Sequence, residues 1–177
     1  MSFASRTRWF QFSLRTLLVI VTLFCLGPGG FLVYHRRLAK REQAAVAKLR
    51  EIPGQQLLVR PDWLRTQLAR QTSGYVVGAA FPAPNTTNGD IAPVSDLSGL
   101  VWLNLNGTKI TDEGLDPVLK LTHLTQLRLD ETDITDAGLL KLARLKQLKT
   151  LNVYKTRVTD EGVKKLQAEL PELDVIR

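Results

Sequence analysis

The chain has 177 residues, a formal net charge of +7, 44% apolar residues and one cysteine. That is enough for one modest domain with an attached segment, and it rules out an internal disulfide. Residues 1–97 carry 12 Lys/Arg against 5 Asp/Glu, whereas residues 98–177 carry 12 of each, so the C-terminal half lacks the basic excess of a nucleic-acid-binding module and no nucleic-acid partner is expected.

Residues 1–15 form a polar, positive tail with Arg6, Arg8 and Arg15. Residues 16–34 carry no charge and are dense in Leu, Val, Ile and Phe from Leu17 to Leu26; as a helix they would reach roughly 28 Å, close to the hydrocarbon thickness of a bilayer. Trp9, Phe10 and Phe12 before the run and Tyr34 after it suit the two interfaces. A single transmembrane helix is expected, weakened at Gly27-Pro28-Gly29-Gly30, a break that membrane helices tolerate. The competing reading is a cleaved signal peptide. Against it, no A-x-A-like site is present, the apolar run resumes at Phe31-Leu32-Val33-Tyr34, and the basic residues Arg36, Arg37, Lys40, Arg41, Lys48 and Arg50 come next. That cluster places the C-terminal part on the cytoplasmic side by the positive-inside rule, with Arg36, Arg37, Lys40 and Arg41 beside anionic lipid headgroups.

Residues 35–54 read as a basic juxtamembrane helix over 36–52, with Leu38, Ala45, Leu49 and Ile52 on one stripe and Pro53-Gly54 as the stop. Glu42 interrupts any coiled-coil seam, so the helix reads as a spacer, with a weak dimer stub as the alternative. Residues 55–75 are expected to cap the N-terminal end of the domain. Gln55 to Val59 would form a short strand, and Arg60-Pro61-Asp62-Trp63 would open a helix whose Trp63, Leu64 and Leu68 cover an apolar end.

From Leu100 onward the chain repeats every 24 residues as L-x-x-L-x-L-x-x-T-x-[IV]-T-D-x-G-[LV]. Leu100, Leu124 and Leu148 align, as do Leu103, Leu127 and Leu151, then Thr111-Asp112, Thr135-Asp136 and Thr159-Asp160, then Gly114, Gly138 and Gly162. Counting back one period, residues 76–99 form a degenerate first repeat, with Phe81, Ile91, Pro93, Val94 and Leu97 in register and a loop at 82–89 that has lost the T-D-x-G positions. Residues 100–177 hold the regular copies and an end strand begun by Leu173, Val175 and Ile176. The period lies in the leucine-rich-repeat range. The L-x-x-L-x-L leucines alternate inward on a strand. Thr111, Thr135 and Thr159 would each cap a short helix, and Asp112, Asp136 and Asp160 would face its positive end. The expected fold is α/β: a short leucine-rich-repeat solenoid, parallel strands on the concave side and short helices on the convex side, preceded by a transmembrane helix.

These residues carry a resemblance. I-T-D-x-G-L resembles the leucine-rich repeats related to those of F-box substrate adaptors, although no F-box-like segment stands before the repeats. Phe12-Ser13-Leu14-Arg15-Thr16-Leu17-Leu18, with the apolar run and basic helix behind it, looks like a group of small bacterial membrane-anchored leucine-rich-repeat proteins. The resemblance implies protein–protein interaction at a membrane.

The positions expected to display outward, and so to touch a protein partner, are Trp102, Asn104, Asn106, Arg128, Asp130, Asn152, Tyr154 and Lys155; Trp, Tyr and Arg are the types enriched at interface hot spots. A large exposed ring such as Trp102 needs cover, either from a partner or from the 82–89 loop folding over it. There is no G-x-S-x-G, no phosphate-cradling glycine loop, and no His beside a nucleophile or a second metal ligand, so no enzyme, cofactor or metal is expected. An alternative to the interaction module is an assembly component in which the transmembrane and juxtamembrane helices bind and the repeats act as a spacer.

Overall fold

The computed structural model describes residues 34, 37–60, 75–81 and 84–177. The chain divides into two compact units, residues 1–40 and 41–177. Of the first, residue 34 and residues 37–40 are described, and they are helical. The tail 1–15 and, save Tyr34, the expected span 16–34 lie outside the described residues, as does the expected lid of Trp63, Leu64 and Leu68. Among the described residues no helix is long and apolar enough to cross a membrane.

The second unit is built on a six-stranded sheet in the order β1 (Gln56–Arg60), β2 (Tyr75–Ala80), β3 (Trp102–Asn104), β4 (Gln126–Arg128), β5 (Thr150–Asn152) and β6 (Asp174–Ile176). β1 runs antiparallel to β2, and from β2 onward every pairing is parallel. The register matches the sequence period: Gly78 pairs with Trp102, Trp102 with Gln126, Gln126 with Thr150 and Thr150 with Asp174. This is a leucine-rich-repeat fold. Leu103, Leu127 and Leu151 point inward from three successive strands and are fully buried, as period-two alternation requires. The back-count to the first repeat holds as well, with Val76, Phe81, Ile91, Val94 and Leu97 all buried.

The return segments differ from the expected short helix in each repeat. The first two make only 3₁₀ turns, Ala92–Asp96 and Val118–Lys120, while the later ones form α2 (Asp136–Lys141) and α3 (Asp160–Glu169). Proline explains the split. Pro93 and Pro117 occupy the column filled by Lys141 and Lys165 in the helical repeats, and a proline inside a helix removes a donor and clashes with the preceding turn.

Residues 37–49 form α1, and the part within the second unit is no spacer. Ala45 and Leu49 are buried in the repeat core, with Val46 and Ile52 packed against it. The apolar stripe is spent on packing. Glu42, read as a flaw in a seam, is buried and accepts a hydrogen bond from the Val76 backbone N–H at 3.3 Å. In the same column Leu100, Leu124 and Leu148 donate to carbonyls three residues back, so Glu42 provides the acceptor that the first strand uses instead.

Thr135 and Thr159 cap α2 and α3 as expected, accepting from the N–H groups of Ala137 and Gly162. The aspartates do more than face a helix end. Asp112 accepts from the backbone N–H and hydroxyl of Thr135 in the next repeat, at 2.8 and 2.6 Å, and Asp136 does the same for Thr159 at 2.8 and 2.7 Å. The glycine completes the clamp: a Cβ on Gly138 would stand 2.1 Å from Asp112 Oδ1, and one on Gly162 would stand 2.2 Å from Asp136 Oδ1. The first repeat keeps this device despite its altered sequence. Asn88 accepts from the Thr111 N–H and donates to its hydroxyl. Thr87, with no aspartate one period ahead of it, gives both its protons to Asp90 three residues on, each at 2.8 Å.

Candidate functional site

The outward face of the sheet is set by strand alternation. One column holds Gly78, Trp102, Gln126, Thr150 and Asp174, and the next holds Ala80, Asn104, Arg128, Asn152 and Ile176. Beyond the strands a third column, Asn106, Asp130 and Tyr154, enters the turn. There Gly107, Glu131 and Lys155 take up left-handed backbone with φ of 67°, 57° and 54°. The non-glycine members carry strain that the neighbouring hydrogen bonds offset.

Those hydrogen bonds divide the eight expected contact residues into two groups. Asn104 Oδ1 accepts from the Asn106 N–H, Asn106 Oδ1 from the Asp130 N–H, and Asp130 Oδ1 from the Tyr154 N–H, all at 3.0–3.1 Å. This ladder ties the turns of three repeats together. Asp130 is a correction to the outward reading, because it is only 8% exposed and serves the fold. Asn104 and Asn106, half-buried, hold the same turns. The sequence around Asn106 gives no local hint of its role, since its partner N–H lies 24 residues away, whereas Asn104 bonds an N–H only two residues on.

The second group projects. The Arg128 side chain is 52% exposed, with a loose 3.6 Å approach to Asp130. Tyr154 is 52% exposed, and the Lys155 ammonium lies 5.3 Å from its ring centroid, within cation–π range. Lys155 also bonds Glu131 at 2.7 Å, and that carboxylate raises its pKa. Asn152 is half-buried beside them. Trp102 is half-buried, and residues 82 and 83 of the loop expected to cover it lie outside the described residues. Its indole lies over Gly78 of the adjacent strand, where a Cβ would meet Nε1 at 1.9 Å. A glycine in the outward column of β2 is the signal that would have located the ring. Gln126, Asp174 and Ile176 complete the face; the last two stand on β6, past the last full motif. A cavity of about 400 Å³ opens beside Tyr154, lined by Lys155, Thr156, Val158, Asp160 and Arg177.

The face offers a guanidinium, a phenol, carboxamides and a flat indole edge on one small sheet. These are groups suited to non-covalent contact. Among the described residues no group of His, Cys, Asp and Glu is arranged to hold a metal ion.

Residues 100–119 and 120–143 match the family model described as Leucine Rich repeat. The structure is similar to an internalin C2 from Listeria monocytogenes, at 27% identity over 59% of this chain and 46% of that one, with a TM-score of 0.45. It is also similar to a second internalin of that organism (20% identity, 49% and 30% covered, TM-score 0.36) and to a leucine-rich-repeat protein of Leptospira interrogans (19%, 49% and 27%, 0.34). The chain spans less than half the length of each of these bacterial proteins. No curated protein matches it.

Proposed function

We propose that the protein is a membrane-tethered interaction module that binds a protein partner through the outward, concave face of its repeats. The observation that carries this reading is the projection of Arg128 and Tyr154 from adjacent repeats, while Asn106 and Asp130 hold the turns beneath them rigid. Residues preorganised in this way lose little freedom on binding. The repeats span few strands, so the interface is small and its affinity rests on a few side chains. The reading assigns no catalytic step and no cofactor.

Residues 16–34 supply the tether in this proposal, with Arg36, Arg37, Lys40 and Arg41 against anionic headgroups and the repeats on the cytoplasmic side. A C-terminal alkaline phosphatase fusion is then inactive, and the intact chain stays in the membrane pellet through carbonate washing. An active fusion would reverse the sidedness, and a shortened soluble species beginning near Phe31 would replace the tether with a signal peptide. The alternative, helices that bind and repeats that merely space them, is weakened at 41–52, where the apolar residues are already taken by the core.

Crosslinking in native membranes with subsequent affinity capture tests the face. Arg128→Ala with Tyr154→Ala is expected to abolish capture while leaving circular dichroism unchanged, whereas Lys164→Ala with Lys165→Ala on the exposed side of α3 leaves capture intact. Trp102 is kept in place because its indole packs on Gly78. Full capture by the folded double variant would remove the face from the proposal.

A further inference from the structure

The charge balance of the repeats conceals a segregation. At the C-terminal ends of the strands, bases meet acids from one repeat to the next: Lys155 with Glu131 at 2.7 Å and Arg157 with Asp133 at 2.9 Å, while Arg177 pairs with Asp160. On the helical side Lys141 pairs with Asp116 and Lys165 with Glu161. The opposite edge, where each return segment turns into the next strand, is different. The turns 118–125 and 142–149 contain no acidic residue at all. They stack in register, with the Lys149 N–H donating to the Thr125 carbonyl at 2.8 Å, and their leucines 121, 124, 145 and 148 are buried. What remains outside is Lys120, Arg144, Lys146 and Lys149, each exposed and each without an ion-pair partner among the described residues.

Lys120 ends the 3₁₀ segment Val118–Lys120 and Arg144 ends a second one, Leu142–Arg144, that follows α2; a cation suits the carbonyl end of each. Lys146 and Lys149 lie beyond those segments, so that role does not account for them. Four unpaired cations on two adjacent turns repel one another, which an anionic partner relieves. We infer that this edge docks a short acidic segment of a protein partner, on a surface separate from the sheet face and independent of it.

The flanks decide the kind of partner. In the first repeat the edge position matching Lys120 and Arg144 is Asp96, and beyond the third the corresponding stretch 166–173 carries Glu169 and Glu172. The cationic strip is therefore two repeats wide, on the order of 10 Å, and closed on both sides by carboxylates. A membrane plane or a nucleic-acid backbone extends past such a strip and meets those carboxylates with like charge. A few glutamates or aspartates on a peptide fit inside it.

The test uses the full-length chain in neutral-lipid nanodiscs and a fluorescein-labelled peptide of alternating Glu and Asp, with binding read by anisotropy. Reversing Lys120, Arg144, Lys146 and Lys149 to Glu is expected to weaken binding at least about tenfold, and affinity should fall with added salt. Arg157→Glu, at a paired base on the other edge, is expected to change binding by less than about threefold. Oligothymidylate of matched charge and monomeric dihexanoyl phosphatidylserine should each compete at least about tenfold more weakly than unlabelled peptide. Melting temperature checks that the reversed variant is folded; if it is not, the four alanine replacements take its place with the same expected direction. Unchanged peptide affinity in the folded variant overturns the inference, and so does equal competition by the oligonucleotide or the lipid.

Discussion

Arg177 donates through its guanidinium both to the Asp160 carboxylate and, at 3.0 Å, to the Val158 carbonyl. Both acceptors have counterparts inside the array. The Ile110 and Ile134 carbonyls accept the backbone N–H of Asp133 and Arg157 one repeat on, and Asp112 and Asp136 accept the protons of Thr135 and Thr159. One side chain thus occupies the two acceptors that a further repeat would take. Arg177→Ala is expected to cost about 1 kcal/mol and to speed amide exchange selectively near Gly162. Uniform protection across the repeats in that variant would mean that the arginine closes nothing.

The Asn88–Thr111 contact predicts how the clamp tolerates change. Asparagine keeps the acceptor for the threonine N–H and offers a donor to its hydroxyl, so Asp112→Asn should cost less than about 1 kcal/mol, and Asp112→Ala about 1–3 kcal/mol. Equal losses in chemical denaturation would show that charge, not hydrogen-bond geometry, holds the repeats together.

Gly138→Ala drives a methyl group into Asp112, a short side chain held by two hydrogen bonds, and is expected to cost about 1–3 kcal/mol. The penalty should shrink in an Asp112→Ala background, because the two sites share one contact. Strictly additive losses in that double-mutant cycle would contradict the contact.

Acid should loosen both ends of this ladder. Thr159 holds the Asp136 carboxyl below its ordinary value of 3.8, chiefly by its backbone N–H and then by its hydroxyl, and Thr87 does the same for Asp90. A depressed native pKa contributes stability that is complete above the unfolded value and is lost as pH falls through the native one. The melting temperature should therefore decline below about pH 4, and Asp136→Asn with Asp90→Asn should flatten that decline. A parent curve level down to pH 3 would remove the carboxylates from the stability of the array.

Thr86 stands in the column of Ile110, Ile134 and Val158, with its hydroxyl buried and unpartnered among the described residues. Thr86→Val removes an unsatisfied group at nearly constant volume and should stabilise by about 1 kcal/mol. Leu127→Ala, between Leu103 and Leu151 at the centre of the core, should cost about 2–5 kcal/mol. A loss in the first and little change in the second would each overturn the burial on which they rest.

The strand register and core were legible because both arise from a period and an alternation that the sequence displays directly. Leu103, Leu127 and Leu151 needed nothing more, and even the eroded first repeat could be placed from Val76 and Phe81. What escaped the sequence were relationships with two satisfactory local explanations. An aspartate beside a capping threonine fits a helix start equally well whether its carboxylate stays at home or reaches residue 135 from residue 112. Asp130 looked like display because alternation continues outward past the strand end, but the left-handed turn at Glu131 folds it under. The apolar stripe of 45–49 reads the same for a free spacer and for a packed helix; the difference lies in its tertiary partner.

A clamp that joins the aspartate of one repeat to the capping threonine of the next, 23 residues on, has the same form at both junctions between the regular repeats. Repeat number is then a design variable rather than a property of the fold. A duplicated 24-residue unit can enter between existing ones, meeting an aspartate on one side and offering its own on the other, while Asp90 and Arg177 go on serving as end pieces. Gene duplication could lengthen or shorten such a protein without inventing a single new contact, so reach toward a partner can change while the chemistry of each junction stays constant.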